Sequence, residues 1–287
     1  MCAISTIESV AVVGGGFMGA GIAESVAVAG LPVVVREIDE AGVERTGERI
    51  DRSLARAVTG GKLNPAQAEA ARGRIELTTE LHHVSAADLV VEAVPEDEQL
   101  KVGVMRAIAE VAAADAIVAS NTSSIPIAQL AQVIDSPERV LGLHFFSPVP
   151  VMTLVEVVVA LDTSVETVTT TKAFAERIGK RPIETKDRSG FIVNMLLVPY
   201  LMAAVRMFEE GFASREDIDA GMKLGCGHPM GPLTLCDFIG LDVLYAVCDS
   251  LYDEFKRDEY APPPLLKRML ASGRLGRKSG RGFYEYE

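Results

Sequence analysis

V-A-V-V-G-G-G-F-M-G-A-G-I-A-E-S-V-A-V-A-G-L-P-V-V-V-R-E, running from Val10 to Glu37, decides how this chain folds. Its first four residues are apolar and mostly β-branched, a run too short for a helix, and it stops at glycine. Gly14, Gly16 and Gly19 then stand in G-x-G-x-x-G spacing. An apolar run of helical period follows, with Ile22, Val26 and Ala29 on one face and Gly30 closing it. Val33 to Val35 is a second buried-strand run, ending in Arg36-Glu37. In such a strand–turn–helix–strand unit each glycine has a task. Gly14 makes the tight turn, Gly16 admits a pyrophosphate to the backbone, and Gly19 lets the helix lie close on the strand. The helix N-terminus offers N–H groups to the phosphates. Glu37 sits where a carboxylate accepts hydrogen bonds from the hydroxyls of an adenosine ribose. The stretch predicts a bound dinucleotide.

Outward from it, the bulk properties set limits. A chain of 287 residues is long enough for two hydrophobic cores. A hydrophobic content of 48% beside 24% charged residues is that of a globular protein. A formal charge of −12 argues against nucleic acid or an anionic membrane as a partner. Cys2, Cys226, Cys236 and Cys248 show no C-x-x-C, so reduced thiols are expected. His82, His83, His144 and His228 are the only histidines, and no metal site is expected of them. No lysine or arginine precedes Arg36, so the positive start of a signal peptide is missing. Glu24 and the glycine turn break what would otherwise read as a membrane span. A cytoplasmic protein is expected.

After Glu37 a polar helix is expected over about Ala41 to Val58, with Ile50, Leu54 and Val58 as its apolar stripe. Arg45, Arg49, Arg52 and Arg56 share one face of it. Glu44, Glu48 and Asp51 could pair with them, or the face could hold a phosphorylated substrate handle. Both stay open. Gly60-Gly61 breaks the helix, Lys62 follows, and Asn64-Pro65 starts another as N-cap and first residue.

Ile75 to Thr78, Leu89 to Val94, Ile117 to Ser120 and Val140 to Leu143 read as further strands. Helices over Leu100 to Ala112 and Pro126 to Ile134 separate the last three, an alternation that builds a mainly parallel sheet. Ligands of such sheets bind beyond the strands' carboxyl ends. There the sequence places Pro95-Glu96, Asn121 to Ser124, and His144 to Pro148. Val151 to Val159 and Pro182 to Thr185 flank a helix over Ser164 to Ile178. Glu156 interrupts the first of these strands, and an acid there is costly unless paired.

From Ser189 onward the strand signal ends. Helical stripes cover Phe191 to Phe208, Asp217 to Leu224, Leu241 to Phe255 and Pro264 to Ala271. We therefore expect a Rossmann-type α/β domain with an inserted helical hairpin over residues 1–187 and an all-α domain over 188–287. Asn194 lies in an apolar run whose Pro199 leaves the Met195 carbonyl without its helical donor. It either satisfies that backbone or serves a site, and both stay open.

Oxidation of an alcohol by a nicotinamide needs a base for the hydroxyl proton. His144 is the only histidine at a carboxyl end of the sheet. Glu156 is the carboxylate available to fix its tautomer and stabilise its cation.

G-G-G-F-M-G-A-G-I-A, A-V-P-E, S-N-T-S-S, H-F-F-S-P-V-P-V-M, L-V-E-V, D-R-S-G-F-I-V-N and H-P-M-G-P-L-T-L-C-D-F-I-G-L-D together resemble the L-3-hydroxyacyl-CoA dehydrogenases, above all the short bacterial 3-hydroxybutyryl-CoA dehydrogenases. The resemblance spans essentially the whole chain. It implies that His144 is the base, that Glu156 orients it, and that Ser123 and Asn194 hold the substrate oxygen. It implies NAD contacts from the glycine loop with Phe17 and Met18, and from Glu37, Glu96, Lys101, Asn121 and Lys278. Arg56 and Lys62 fall where the family binds coenzyme A. Relatives commonly read H-F-F-N-P, with the asparagine at the nicotinamide end, whereas this chain has the shorter Ser147. The resemblance further implies a homodimer through the helical domain, whose Leu196, Leu197, Leu201, Val243 and Leu244 exceed internal need. The implied reaction is NAD-dependent oxidation of (S)-3-hydroxyacyl-CoA, with four carbons favoured. NADP stays open because Arg36 adjoins Glu37. A gulonate-type sugar-acid dehydrogenase is one alternative, which Lys62 and its hairpin oppose. A non-catalytic cofactor sensor is another, which the full set of Ser123, His144, Glu156 and Asn194 opposes.

Overall fold

The computed structural model describes residues 6–286 and divides after Asp187 into two compact units. In the first, the apolar run at the start becomes strand β1 (Val10–Val13), every residue of it buried. The glycine turn leads into helix α1 (Phe17–Val28) and then strand β2 (Val33–Arg36). Helices α2 (Glu40–Thr59) and α3 (Pro65–Arg72) form the inserted hairpin. Asp39 caps α2, and Asn64 and Gln67 form a reciprocal capping box on α3. Strand β3 (Ile75–Thr78), strand β4 (Leu89–Glu92), helix α4 (Glu98–Val111), strand β5 (Ile117–Ser120), helix α5 (Ile127–Ala131) and strand β6 (Val140–Phe145) continue the alternation. Strand β7 (Leu154–Val159), helix α6 (Val165–Arg177) and strand β8 (Arg181–Lys186) complete the unit.

The eight strands lie in the order β3-β2-β1-β4-β5-β6-β7-β8. All neighbours are parallel except β6 and β7. The order reverses beside β1, where β1 and β4 pair, and the crevice of a doubly wound sheet opens beyond such carboxyl ends. Val10, Val12, Ile22, Val26, Val33, Leu89, Val91 and Val157 belong to one core between sheet and helices. Each such aliphatic side chain contributes roughly 1.5–3 kcal/mol by leaving water.

Of the expectations that shift at their edges, two have a cause in the hydrogen bonding. The strand expected from Val151 begins at Leu154, because the Val151 and Met152 amides both turn back to the Pro148 carbonyl. Helix α5 is only five residues, and Asp187 supplies its cap by accepting from the Ile127 and Ala128 amides at 2.9 and 2.8 Å.

The second unit comprises α7 (Val193–Glu209), α8 (Arg215–Ala220), a π turn (Gly221–Gly225), α9 (Pro232–Ile239), α10 (Leu241–Phe255) and α11 (Pro264–Ala271). Helix α9 was not anticipated. Asp219 caps it through the Leu233 and Thr234 amides, and Pro232 opens its first turn. Leu201 and Leu244, expected at a surface, are buried in this unit's own core with Val198, Leu233 and Leu251. Leu196 and Val243 are exposed. Among the described residues no helix is long and apolar enough to cross a membrane. Cys226 is an exposed free thiol and Cys236 and Cys248 are buried ones, while Cys2 lies outside the described residues.

Candidate active site

The glycine turn closes by contact. Gly14 has φ +104°, and a Cβ there would stand 2.8 Å from the Ala93 carbonyl oxygen. A Cβ at Gly19 would fall 1.8 Å from the Gly14 carbonyl, so α1 lies directly against the turn. Gly16 differs: a Cβ there would meet nothing within 4 Å, and no side chain caps α1. With no side-chain cap, the first turn of α1 keeps its N–H groups for a ligand such as a pyrophosphate. These residues fit a dinucleotide. Phe17 is exposed at the start of α1, and Met18 packs half-buried on the core.

At the carboxyl end of β2, Glu37 braces the same turn. Its Oε1 accepts from the Gly15 amide at 2.8 Å, and its Oε2 accepts from the Ile38 amide at 3.1 Å. Arg36 points elsewhere, its Nε donating to the Thr79 carbonyl at 3.2 Å.

Between β4 and β5 lies a buried polar network. Glu92, in a fully buried strand, accepts from the Lys101 ammonium at 2.8 and 3.0 Å and from the Ser120 hydroxyl at 2.5 Å. Lys101 also donates to the Val94 carbonyl at 3.1 Å and lies 3.4 Å from Glu96 Oε2. With its ammonium enclosed among these acceptors, Lys101 is a brace for Glu92 and Glu96. Glu96 in turn gathers the loop after β5. Its Oε1 stands 2.6 Å from the Thr122 hydroxyl, 2.8 Å from the Ser123 amide and 3.1 Å from the Ser124 hydroxyl, with the Ser123 hydroxyl at 3.2 Å. Burial alone would raise the Glu96 carboxyl, but the Lys101 charge and these donors hold it below its ordinary range. Asn121 bridges strands, its Oδ1 accepting from the Phe145 amide at 3.0 Å. Glu92 escaped notice in the sequence although it gives the same signal as Glu156, an acid inside a β-branched strand.

His144 and Glu156 are direct partners in the antiparallel register of β6 and β7. His144 Nδ1 lies 2.7 Å from Glu156 Oε2, with Glu156 fully buried and His144 nearly so. The Phe146 ring packs on the imidazole at 4.7 Å between centroids. A carboxylate on Nδ1 assigns the proton to that nitrogen and leaves Nε2 as the basic one. Ser147 is exposed and precedes a cis peptide to Pro148. The other histidines sit apart from this pair. His83 lies against Glu76 at 2.5 Å, His82 is 3.8 Å from Glu80, and His228 stands 3.2 Å from the Tyr200 hydroxyl.

Beside α1 a cleft of about 910 Å³ opens, with Arg49, Arg52, Arg56 and Lys62 along its hairpin side and Pro148 to Thr153 opposite. The arginine face is only partly neutralised. Arg52 pairs with Glu48 at 3.3 Å and Arg45 reaches Asp39 at 3.9 Å, while Asp51 is taken by Arg72 at 2.8 Å. On the helical unit, Asn194 is half-buried in the first turn of α7, and Lys278 pairs with Asp242 at 2.6 Å.

A doubly wound sheet with an open glycine turn and a buried histidine–carboxylate pair at its carboxyl edge defines a nicotinamide-dependent alcohol dehydrogenase. Comparison with known proteins narrows the class. Residues 9–188 match the family described as 3-hydroxyacyl-CoA dehydrogenase, NAD binding domain, and residues 190–286 match 3-hydroxyacyl-CoA dehydrogenase, C-terminal domain. A 3-hydroxybutyryl-CoA dehydrogenase of Mycobacterium tuberculosis is 50% identical over 98% of this chain and 99% of its own. The mitochondrial hydroxyacyl-coenzyme A dehydrogenase of Homo sapiens is 40% identical over 98% of this chain and 92% of its own. The crystal structure of (S)-3-hydroxybutyryl-CoA dehydrogenase from Ralstonia eutropha superposes with a TM-score of 0.94 at 45% identity, covering 98% of this chain and 100% of that one. The chain belongs to the 3-hydroxyacyl-CoA dehydrogenase family.

Proposed function

We propose that this protein oxidises (S)-3-hydroxyacyl-CoA reversibly to 3-oxoacyl-CoA, with the four-carbon 3-hydroxybutyryl-CoA as its preferred substrate. The observation that carries the proposal is the buried His144–Glu156 pair, 2.7 Å apart at the carboxyl edge of the sheet. NAD, when bound on the glycine turn, supplies the hydride acceptor. His144 Nε2 takes the proton of the 3-hydroxyl as the carbonyl forms, and Glu156 stabilises the resulting imidazolium. Ser123 holds the substrate oxygen. Its hydroxyl is one of several donors crowding Glu96 Oε1, so it can turn to the substrate without leaving that carboxylate unserved.

Glu37 takes the adenosine ribose, Asn121 and Ser147 lie toward the nicotinamide, and Glu96 with Lys101 behind it lines the same crevice. Arg56 and Lys62 are assigned to the phosphates of coenzyme A, on the strength of a cationic cleft edge in an acidic protein. Asn194 is assigned to the substrate oxygen and Lys278 to the cofactor on the family resemblance. We further propose a cytoplasmic homodimer formed through the helical unit. Steady-state oxidation of (S)-3-hydroxyacyl-CoA esters of increasing chain length with NAD tests the activity. The four-carbon ester should give the highest kcat/KM, and absence of turnover with every ester overturns the proposal.

A further inference from the structure

One buried cation remains without a task in the chemistry above. Lys180 lies between α6 and the start of β8, is 9% exposed, and lines the floor of the cleft. Its ammonium donates to two backbone carbonyls, Val149 at 2.5 Å and Met152 at 3.0 Å. Both belong to the loop of residues 146–153, which joins the His144 strand to the Glu156 strand. The neighbouring Arg181 amide holds the same loop through the Thr153 carbonyl at 2.7 Å.

The loop's other side rests on α1. A Cβ at Gly21 would stand 3.0 Å from Val149 Cβ and 3.3 Å from Pro150 Cδ, so any larger residue there would press the loop back by a few tenths of an ångström. One turn further along the same face, Glu24 is 3% exposed and lines the same cleft. Burial raises its carboxyl, which the Ser53 hydroxyl and the charges of Arg56 and Lys180 oppose. Burial lowers the Lys180 ammonium, which the Glu24 charge opposes. Taking an ammonium out of water is costly, and here the two carbonyl acceptors and the Glu24 charge oppose that cost.

We propose that Lys180 is a positioning residue for this reaction, a buried ammonium that clamps the loop between the His144 and Glu156 strands against α1, with the buried Glu24 lining the same cleft. The clamp ties the cofactor helix to the hairpin that carries the base. It also fixes the loop wall of the cleft, including the exposed Val151 and Met152. The kinetic part rests on the activity proposed above; the structural part does not.

The test uses the full chain with Lys180→Met, Lys180→Arg and Glu24→Gln. Deuterium uptake of the cofactor-free protein, read over residues 146–153, should rise in Lys180→Met and return toward wild type in Lys180→Arg. In acetoacetyl-CoA reduction, Lys180→Met should lower kcat roughly 10- to 100-fold, the scale of an ångström-sized misplacement, with KM for NADH nearly unchanged. Lys180→Arg should recover much of that loss. The charged groups that line the cleft with Lys180 are Glu24 from α1 and Arg49, Arg52, Arg56 and Lys62 from the hairpin side, and the loop itself has none. Removing the one acid among them in Glu24→Gln should therefore move to lower pH the alkaline limb of kcat for 3-hydroxybutyryl-CoA oxidation, the direction in which His144 sets only the acid limb. A folded Lys180→Met with wild-type uptake and kcat overturns the clamp. Where Lys180→Met does not fold, Glu24→Gln with wild-type uptake and an unmoved alkaline limb overturns it instead. A wild-type protein that does not reduce acetoacetyl-CoA defeats the activity proposal, and loop uptake alone then decides the clamp.

Discussion

A carboxylate 2.7 Å from an imidazole, both shut inside a sheet, has its worth set by what it does to the ring's other nitrogen. With the proton fixed on Nδ1, Nε2 faces its task in one tautomer only. His144→Ala should therefore lower kcat by about 10²–10⁴, the usual size of a lost general base, with NADH affinity retained. Glu156→Gln keeps the shape but can present an amide donor to Nδ1, so kcat should fall while KM for NADH holds. Kinetics of both variants against NADH titration check the pair, and a His144→Ala enzyme with near-normal kcat would place the base elsewhere. Glu37 decides the second case at this scale. Its carboxylate, proposed to take the adenosine ribose, accepts from the Gly15 amide, while the Arg36 Nε donates to the Thr79 carbonyl. Comparing kcat/KM for NADH and NADPH should show NADH favoured by roughly tenfold or more, about 1.4 kcal/mol of discrimination. Equal values would mean that Arg36 governs the pocket.

At the scale of elements, the loop after β5 depends on one carboxylate. Glu96 gathers Thr122, Ser123 and Ser124 on a single oxygen, and its carboxyl is held below its ordinary range in the folded protein. A depressed folded value means that the loop's order is complete at pH above the unfolded value and lost as pH falls through the folded one. Glu96→Ala should raise KM for the acyl-CoA and abolish that acid dependence, measured as KM against pH from neutrality downward. The helical hairpin makes a different prediction. Lys62→Ala should raise KM for acetoacetyl-CoA and weaken its salt dependence, with KM for NADH unmoved, since a screened phosphate contact loses its value in salt. How far these elements were legible in the sequence follows from their physics. The glycine turn was legible because each glycine answers a steric demand that the flanking strand and helix announce. The His144–Glu156 pair was legible because an acid inside an apolar strand must find a partner. Glu92 gave that same signal and passed unread, since its partner Lys101 lies on a helix rather than on a neighbouring strand. Lys180 gave none, because G-K-R-P reads as a surface turn, and only the fold bends the loop of residues 146–153 under it. Helix α9 was hidden by the glycine and proline at its start and the glycine at its end.

For the whole molecule, the helical unit raises the question of what its outer face meets. Periodicity shows that α7 is apolar, but not which side of an almost wholly apolar helix is covered. The structure assigns Val198, Leu201, Met202 and Val205 to the unit's core. Leu196, Pro199, Ala203 and Met207 fall at i, i+3, i+7 and i+11 and so form a second stripe on another side of α7. Along it Leu196 is 72% and Met207 39% exposed, while Phe212 and Leu224 are exposed at 78% and 86% elsewhere on the unit. Scattered apolar residues are ordinary on a surface, whereas a stripe along one side of a helix is what the homodimer proposed above would use. A closed two-fold pairing of one such stripe with its copy would cover it without adding a partner of other chemistry. Leu196→Glu should therefore convert a homodimer to monomer at micromolar concentration, measured by sedimentation velocity. Because Leu196 contributes little to the unit's own core, the thermal midpoint extrapolated to low protein concentration should change little. An unaltered sedimentation coefficient in Leu196→Glu, with wild type dimeric, would move the interface off α7, and a monomeric wild type would remove the dimer altogether.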